Sequence, residues 1–346
     1  MCVTTRSVFD FVSTPLDSSL LDSESAGSAL RCVSVPSYVS VPFFRNGNPL
    51  PVSSPAPQCH LTLAAAGSMR FRWNETNAVR DAFFRNLRVI SEPPVSAPSA
   101  SELSVPMPPV SAPSAAVPIE LIHSRTVYAL DGVRSDARCS GKYAGAASAV
   151  ITNDGTVRSA ICDSVCSGDG LISRNRQLLP IITVADCMPV YLYDPQTGCF
   201  GVLHSGWKGT GIAANALRLA AAAYGARAED FLVVLGPHIH DCCYTVNAER
   251  AAYFAAEYTP ECIEPGTAAA GSTAPDNAEY RLSLAQANIA LLLRAGVNPA
   301  NILHCTDCTC CDARFGSFRR QSAGLPAETP LEERVRRFTA MAAFIG

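Results

Sequence analysis

Residues 183–211, TVADCMPVYLYDPQTGCFGVLHSGWKGTG, form the stretch that decides how this chain folds. An apolar run from Thr183 to Tyr193 is followed by the turn sequence DPQTG and by a second apolar run, Cys199 to His204. Two such runs separated by a short polar loop predict a pair of antiparallel strands.

The pairing of these strands brings two reactive side chains together. A turn at DPQTG sets residue 193 opposite residue 199, and it places Cys187 within one residue of the position opposite His204. Pro189 has no N–H group to donate, so we expect a bulge or a sheet edge beside it. A thiolate and an imidazole should then lie side by side at the same end of the strand pair.

A glycine-rich turn and a helix follow the second strand. After GWKGTG comes IAANALRLAAAAYG, which predicts a helix that ends at Gly225. The free N–H groups at the helix start, together with Lys208, predict an anion site close to the Cys/His pair. Gly209 would let the backbone approach such an anion closely.

Composition limits the class of protein. The chain has 346 residues, of which 48% are hydrophobic, and a net charge of −3, so it can bury a core and shows no electrostatic footprint for nucleic acid. No apolar run is long enough to span a membrane, and the first residues lack the pattern of a signal peptide. Fifteen irregularly spaced cysteines then indicate reduced thiols or metal ligands rather than disulfides. We therefore expect a cytoplasmic protein without nucleic-acid or membrane partners.

The order of predicted elements suggests one domain. Residues 1–30 are rich in Ser, Thr and Asp, and we expect them to be poorly ordered. Residues 31–346 are predicted to form a single catalytic domain with a Pro/Ser/Ala-rich insertion at 91–118, in which PPVSAPSA occurs twice. Strands and helices alternate without a strict βαβ pattern. This predicts an α+β fold in which helices lie on the faces of a mixed sheet.

Several other elements are predicted from local patterns. Asn77 is a plausible cap for a helix over 77–90, and Ser283 opens a helix that Gly296 ends. Asn153-Asp154-Gly155 predicts a hairpin turn. We expect strands at 119–128, 231–235 and 301–304, and a last helix at 329–344.

A catalytic zinc site needs three protein ligands and one open position. Of the six histidines, His204 is placed with Cys187 by the predicted strand pair. The residues leave the third ligand open. His123 lies in a predicted strand, whereas His240 competes because it is followed by Cys242 and Cys243.

Two further features need a chemical explanation. Asp186 interrupts an apolar run, so it should either orient a ligand or handle a proton. The segment HCTDCTCCD at 304–312 contains Cys305, Cys308, Cys310 and Cys311, which could be half of a structural zinc site or a redox pair. However, no second Cys-x-x-Cys stands at zinc-ribbon spacing. Trp207 is either a core residue or a flat lid on a ring-shaped ligand.

Four motifs together resemble a known family. TVADCMPVYLYDP, GVLHSGWKGTGI, LGPHIHDCCYTV and CTCCDARFGSFRR, in this order, are similar to the polyphenol oxidase laccase-domain family, whose members are described as purine nucleoside phosphorylase and adenosine deaminase-like proteins. The resemblance runs from about Val41 to the C-terminus. It implies a single mixed α/β/α sandwich and a metal held by His123, Cys187 and His204.

The resemblance also implies an activity. We expect a zinc-dependent enzyme that cleaves adenosine, inosine or methylthioadenosine with phosphate, and adenosine deamination at the same site. Asp186, Cys187 and His204 are the expected catalytic residues. Arg45, Lys208 and Gly209 are expected to bind substrate, with Arg45 corresponding to an arginine near the family's first strand.

The chain departs from the family at several positions. Leu121 replaces a glutamine two residues before the ligand histidine, and Ser167 replaces one of two aspartates, of which Asp169 remains. The alternatives are a copper-dependent polyphenol oxidase, against which six scattered histidines argue, and a factor that edits peptidoglycan precursors.

Overall fold

The structure is a computed structural model that describes residues 3–11, 37–51, 54–72, 74–90, 115–133, 145–153, 155–159, 167–266, 280–326 and 328–346. Most of the predicted N-terminal segment and of the predicted insertion lies outside these residues, as do Cys139, Cys162 and Cys166. No described helix is long and apolar enough to cross a membrane.

The strands, in chain order, are β1 (Thr4–Arg6), β2 (Tyr38–Val41), β3 (Phe44–Arg45), β4 (Asn48–Pro49), β5 (Cys59–Thr62), β6 (Ala115–Pro118), β7 (Val127–Val133), β8 (Gly145–Ile151), β9 (Val157–Ser159), β10 (Gly170–Ser173), β11 (Leu178–Val184), β12 (Met188–Tyr193), β13 (Phe200–Ser205), β14 (Leu232–Leu235), β15 (Thr245–Val246), β16 (Ile263–Pro265), β17 (Tyr280–Leu282), β18 (Ile302–Cys305) and β19 (Met341–Ile345). The α-helices are α1 (Ala78–Ile90), α2 (Ile212–Tyr224), α3 (Ala248–Glu257), α4 (Leu284–Arg294), α5 (Phe318–Gln321) and α6 (Leu331–Arg337).

Two mixed sheets form the body of the fold. The larger has nine described strands in the order β1-β18-β14-β12-β13-β10-β7-β8-β9, and the smaller has five, in the order β2-β5-β19-β11-β6. Two further sheets, β15-β17-β16 and β3-β4, are small and separate from these two. The expected α+β fold with a mixed β sandwich is confirmed.

The central strand β12 shows how the layers pack. Its Tyr191 and Tyr193 belong to the core between the two sheets. Its Val190 and Leu192 belong to a second core, which the apolar faces of α2 and α4 cover on the other side of the large sheet. Because successive side chains of a strand point to opposite faces, a strand buried on both faces must be apolar throughout, as β12 is.

The predicted hairpin is present with a different register. Tyr193 pairs with Phe200 and Pro189 with His204, one step from the expected register. The turn sets this step, because the Asp194 N–H donates to the Cys199 carbonyl. No bulge forms at Pro189. The ladder to β13 is unbroken there, and pairing with β14 begins only at the next residue, so the missing N–H costs little.

Helix ends and turns follow their sequence signals. The Asn77 side chain accepts from Arg80 N–H at the start of α1, and Ser283 accepts from Gln286 N–H at the start of α4. β8 and β9, which flank the predicted turn, pair antiparallel, and the Gly155 N–H donates to the Thr152 carbonyl at 2.9 Å. Gly225 ends α2 with a φ of 69°, a backbone conformation that favours glycine.

Two predicted elements are wrong in type or extent. The last helix is short, and β19 follows it, because the fully buried run Met341–Ile345 pairs with β5 and β11. Residues 119–126 are irregular and not a continuous strand, with one isolated bridge between Glu120 and Ser167, and β7 begins at Val127. Two strands lie within the segments predicted as poorly ordered or inserted: β1, within residues 1–30, pairs with β18, and β6, within residues 91–118, pairs with β11.

The position of β6 predicts how a deletion will behave. Removing residues 95–110 leaves β6 in place, so we expect little change in melting temperature. Removing 95–118 also deletes Ala116 and Val117, which are 5% and 1% exposed. We expect the longer deletion to lower the melting temperature by about 5 °C or more. Equal melting temperatures for the two deletion variants would show that β6 contributes nothing to stability.

Candidate active site

A cleft of about 530 Å³ opens where β12 begins and β13 ends, and this volume is in the range of small-molecule sites. Four neighbouring strands bring its polar groups together. Asp169 precedes β10, which pairs with both β7 and β13. His204 is the penultimate residue of β13, Cys187 precedes β12, and His123 lies in the turns before β7. Cys187, His204 and His123 line the cleft.

Asp169 is a fully buried carboxylate that organises this set. It accepts hydrogen bonds from His123 N–H at 3.0 Å, from the N–H and hydroxyl of Ser124 at 2.6 and 2.7 Å, and from His204 Nδ1 at 3.0 Å. Burial raises the pKa of Asp169, but the hydrogen bonds from His204 and Ser124 outweigh burial and keep its pKa below the usual value. Asp169 therefore stays ionised and fixes both histidines.

His204 is held between two partners. With Nδ1 on Asp169, its other ring nitrogen is the one that meets the thiol of Cys187. Burial lowers the pKa of His204, but the charge of Cys187, the hydrogen bonds to both partners and the charge of Asp169 raise it to about 10. An imidazole held by a carboxylate at Nδ1 has the orientation and basicity of a metal ligand.

His123 reaches the site through an unusual backbone conformation. Its φ is 56°, in the left-handed region, and its N–H donates to Asp169. The ring lies edge-on to that of His204, with centroids 5.1 Å apart. An extended strand does not have this backbone conformation. The predicted strand at 119–128 is therefore interrupted at His123, and only its last two residues lie in β7.

The three side chains offer suitable metal-binding atoms, although these atoms do not all lie within 4.8 Å of one another. One thiol and two imidazoles are the ligands of catalytic zinc sites, and the carboxylate behind His204 is the usual second partner. Among the described residues, two other groups have donor atoms that all lie within 4.8 Å of one another, and the His123, Cys187 and His204 group is not one of them. The first is Cys242, Cys243, Cys308 and Cys311; the second is His238, His240 and His304. His240 therefore joins other histidines and does not compete with His123.

Asp186 has a positioning role here. Its φ is 77°, and its two carboxylate oxygens accept from the Thr309 hydroxyl at 2.7 Å and from Arg319 N–H at 2.6 Å. Its carbonyl accepts from Ile239 N–H. Through these contacts Asp186 ties three segments together beside Cys187, and it also lines the cleft.

The predicted substrate-binding residues do not line the cleft, although Lys208 lies close enough to His123 for its charge to add to burial in lowering the pKa of that histidine. Burial raises the pKa of Tyr193, and the nearby charges of Arg176 and Arg45 oppose this shift. Tyr193 is at the far end of β12, so Arg45 lies about 20 Å along the strand from Cys187. Lys208 is exposed, with its Nζ 5.2 Å from the centre of the Trp207 ring, and it does not line the cleft. Gly209 is buried, and a side chain there would meet the His204 carbonyl at 2.9 Å, so this glycine serves close packing of the turn.

Sequence reasoning missed the cationic and aromatic lining of the cleft. Arg70, Arg72 and Arg319 line it, and Arg70 and Arg72 form salt bridges with Glu75 and Glu120 at 3.0 and 2.8 Å. Five aromatic side chains also line it, namely Phe71, Trp207, Tyr244, Phe318 and Phe338. Trp207 is thus a cleft residue, 40% exposed, with the Arg250 guanidinium 4.2 Å from its ring centre. Two signals were available in the sequence, namely Trp207, which was read as a core residue or a lid, and the arginine after the family-like motif FGSF.

Gly206 is required by the thiol of Cys187. A methyl group at residue 206 would lie 2.7 Å from Cys187 Sγ and at an ordinary 3.7 Å from His204. We expect Gly206→Ala to lower the free energy of unfolding by about 1–3 kcal/mol, the range for overpacking. In a Cys187→Ala background the clash is gone, so Gly206→Ala should then cost almost nothing. Additive losses in denaturant unfolding of the single and double variants would contradict this contact.

Known proteins share parts of this sequence. Purine nucleoside phosphorylase LACC1 of Mus musculus is 35% identical over 138 residues, which are 39% of this chain and 30% of that protein. Purine nucleoside phosphorylase YlmD of Geobacillus stearothermophilus is 36% identical over 155 residues, 44% of this chain and 54% of that protein. Adenosine deaminase RL5, from an unknown prokaryotic organism, is 32% identical over 155 residues. The chain spans about half the length of these relatives or less.

Solved structures share the fold. The Bacillus licheniformis hypothetical protein YfiH superposes with a TM-score of 0.58 at 22% identity, covering 86% of this chain and 99% of that one. YlmD from Geobacillus stearothermophilus gives a TM-score of 0.56 at 24% identity, covering 84% and 92%.

The family follows from a longer match. Residues 110–327 match the sequence profile of the family described as multi-copper polyphenol oxidoreductase laccase. That match includes the strands and turns that carry His123, Asp169, Cys187 and His204, and it confirms the resemblance drawn from the four motifs. Because it covers more than half of the chain, the protein belongs to the multi-copper polyphenol oxidoreductase laccase family.

Proposed function

We propose that this protein is a metal-dependent purine nucleoside phosphorylase. A phosphate oxygen attacks C1′ of the ribose, the bond between C1′ and N9 of the purine breaks, and the base leaves with that electron pair and takes up a proton. The observation that carries the proposal is one cleft that joins the Cys187, His204 and Asp169 set to aromatic walls and an arginine. The relatives named purine nucleoside phosphorylase support the substrate class.

The aromatic walls suit a purine base. Trp207 and Tyr244 offer flat apolar surfaces to a ring. Phe318 and Phe338 pack edge to face, with centroids 5.4 Å apart, and form a rigid apolar wall that limits access of water. A cleft of about 530 Å³ is large enough for a nucleoside and phosphate together.

Arg319 is the proposed phosphate ligand. Its backbone is fixed by Asp186, and its guanidinium donates to the Thr245 hydroxyl at 3.3 Å. It forms no salt bridge with a described carboxylate, whereas Arg70 and Arg72 do. A guanidinium held in this way can bind phosphate through two parallel hydrogen bonds.

His123, Cys187 and His204 would hold the metal, for which we propose zinc. A bound zinc ion supplies Lewis acidity to a polar atom of the substrate or to water. Asp169 keeps Nδ1 of His204 engaged, so the other ring nitrogen faces Cys187 and the cleft. A metal takes the thiolate form of cysteine and the neutral form of histidine, so its binding releases any protons that these ligand atoms hold.

Adenosine deamination is a second candidate at the same site. It is favoured by the relative named adenosine deaminase RL5, which is 32% identical over 155 residues. In this reaction water replaces the 6-amino group, and the products are inosine and ammonia. This reaction does not use phosphate. A residue that only binds phosphate should therefore affect nucleoside cleavage and not deamination.

The proposed phosphate ligand predicts a specific kinetic change. We expect Arg319→Met to raise the KM for phosphate in adenosine cleavage by about tenfold or more, which is the loss of one charge-assisted hydrogen bond or two. Deamination by the same variant should change much less. Adenine, ribose 1-phosphate and inosine can be separated by chromatography to measure both reactions.

Lys208→Met is the matched control, because Lys208 has the same charge and lies outside the cleft lining. Its KM for phosphate should change no more than about twofold. A larger effect at Lys208 than at Arg319 would move the anion site to the start of α2. If the metal-loaded protein formed neither adenine nor inosine, and instead consumed oxygen with a phenol, the copper alternative would replace this proposal.

A further inference from the structure

A second group of metal-ligating side chains lies next to the wall of the cleft. It consists of Cys242, Cys243, Cys308 and Cys311, hereafter the four-cysteine cluster, whose Sγ atoms all lie within 4.8 Å of one another. All four are free cysteines. None of them belongs to the set that lines the cleft.

The distances within the cluster match those of thiolates around one zinc ion. Zinc–sulfur bonds of about 2.3 Å at tetrahedral angles put the sulfur atoms about 3.8 Å apart. The Sγ atoms of Cys242 and Cys243 are 3.9 Å apart, those of Cys242 and Cys311 are 3.7 Å apart, and those of Cys243 and Cys311 are 3.3 Å apart. Cys308 completes the group within the same limit.

The two loops that supply the cluster are fixed by their own hydrogen bonds. Thr309 N–H donates to the His238 carbonyl at 2.9 Å, and His240 N–H donates to Cys308 Sγ at 3.4 Å. The Arg320 guanidinium donates to the carbonyls of Thr309 and Cys310 at 2.6 and 2.9 Å. The cysteines are therefore brought together by a prearranged backbone.

The electrostatics of the cluster require a cation if all four thiols ionise. Burial and the neighbouring sulfur atoms of Cys308 and Cys311 raise the pKa of Cys242 to about 12. Burial raises the pKa of Cys308 as well, but hydrogen bonds from the backbone N–H groups of His240, Cys311 and Cys310 outweigh burial and lower its pKa. Four thiolates this close together would repel one another, so the geometry calls for a cation among them if all four ionise.

We propose that Cys242, Cys243, Cys308 and Cys311 bind one zinc ion as a tetrathiolate that joins the loop after β14 to the loop after β18. The zinc ion takes the place of the thiol protons, which are released to solvent. Four sulfur ligands in a closed site are typical of structural zinc. Cys305 and Cys310 are not among the four, although the Cys310 side chain hydrogen-bonds to Cys243, so the ligand pattern is one Cys-Cys pair and one Cys-x-x-Cys pair.

The zinc ion would also stabilise one wall of the cleft. The first loop carries Ile239 and Tyr244, which line the cleft. The second loop carries Thr309, whose hydroxyl donates to Asp186 beside Cys187. The inference does not depend on the reaction that the cleft catalyses.

The test measures zinc per chain in the full-length protein purified under reducing, oxygen-free conditions. Cys242→Ser and Cys311→Ser change two exposed positions and should each lose one equivalent of zinc relative to the wild type. Cys310→Ser is the matched control in the same loop and should lose none. Cys187→Ser alters the cleft instead and should leave the zinc of the four-cysteine cluster in place.

A second measurement identifies the ligands. After zinc is exchanged for cobalt, the wild type and Cys187→Ser should both show the strong sulfur-to-cobalt charge-transfer bands of a tetrathiolate, and these bands should weaken in Cys311→Ser. The proposal is overturned if zinc content is the same in Cys242→Ser, Cys311→Ser and wild type. It is also overturned if peptide mapping finds a Cys243–Cys311 disulfide in wild-type protein that has been incubated with zinc.

Discussion

The site depends on one buried carboxylate. Asp169 is withdrawn from water, and an ion in such a place is tolerated only when its hydrogen bonds are made inside the protein. Its four donors come from the turn at His123 and Ser124 and from His204 on a neighbouring strand. These bonds hold β10, β13 and the segment before β7 in one arrangement. The ends of three strands thus become a cleft with two oriented imidazoles.

Local signals predicted the parts of this fold that depend on neighbours in sequence. The hairpin, the helix caps and the ends of α2 and α4 follow from turn and cap residues at fixed spacing. The predictions failed where distant pairing decides. Met341–Ile345 reads as the end of a helix and is a strand because β5 and β11 lie on either side of it. His123 was placed in a strand because its left-handed φ depends on Asp169, which lies 46 residues later in the chain.

The same limit applies to the site residues. Cys187 and His204 could be paired from the sequence, because one short turn relates them. Arg319 could not be placed, because it reaches the cleft only through the hydrogen bond from its N–H to Asp186. The four-cysteine cluster was hidden for a similar reason, since its two halves lie on loops about 65 residues apart and the first half is an adjacent Cys-Cys pair instead of a second Cys-x-x-Cys. Lys208 and Arg45 stay predicted substrate ligands by charge, but neither lines the cleft: Arg45 is in β3 and Lys208 is in the turn after β13.

The central claim is that the cleft holds a metal between Cys187 and His204. A crystal structure with anomalous diffraction data collected above and below the zinc edge tests it directly. We expect an anomalous peak within bonding distance of Cys187 Sγ and of the His204 ring nitrogen that faces away from Asp169, with His123 as the third protein ligand. A structure of the active enzyme with no peak in the cleft would contradict the account.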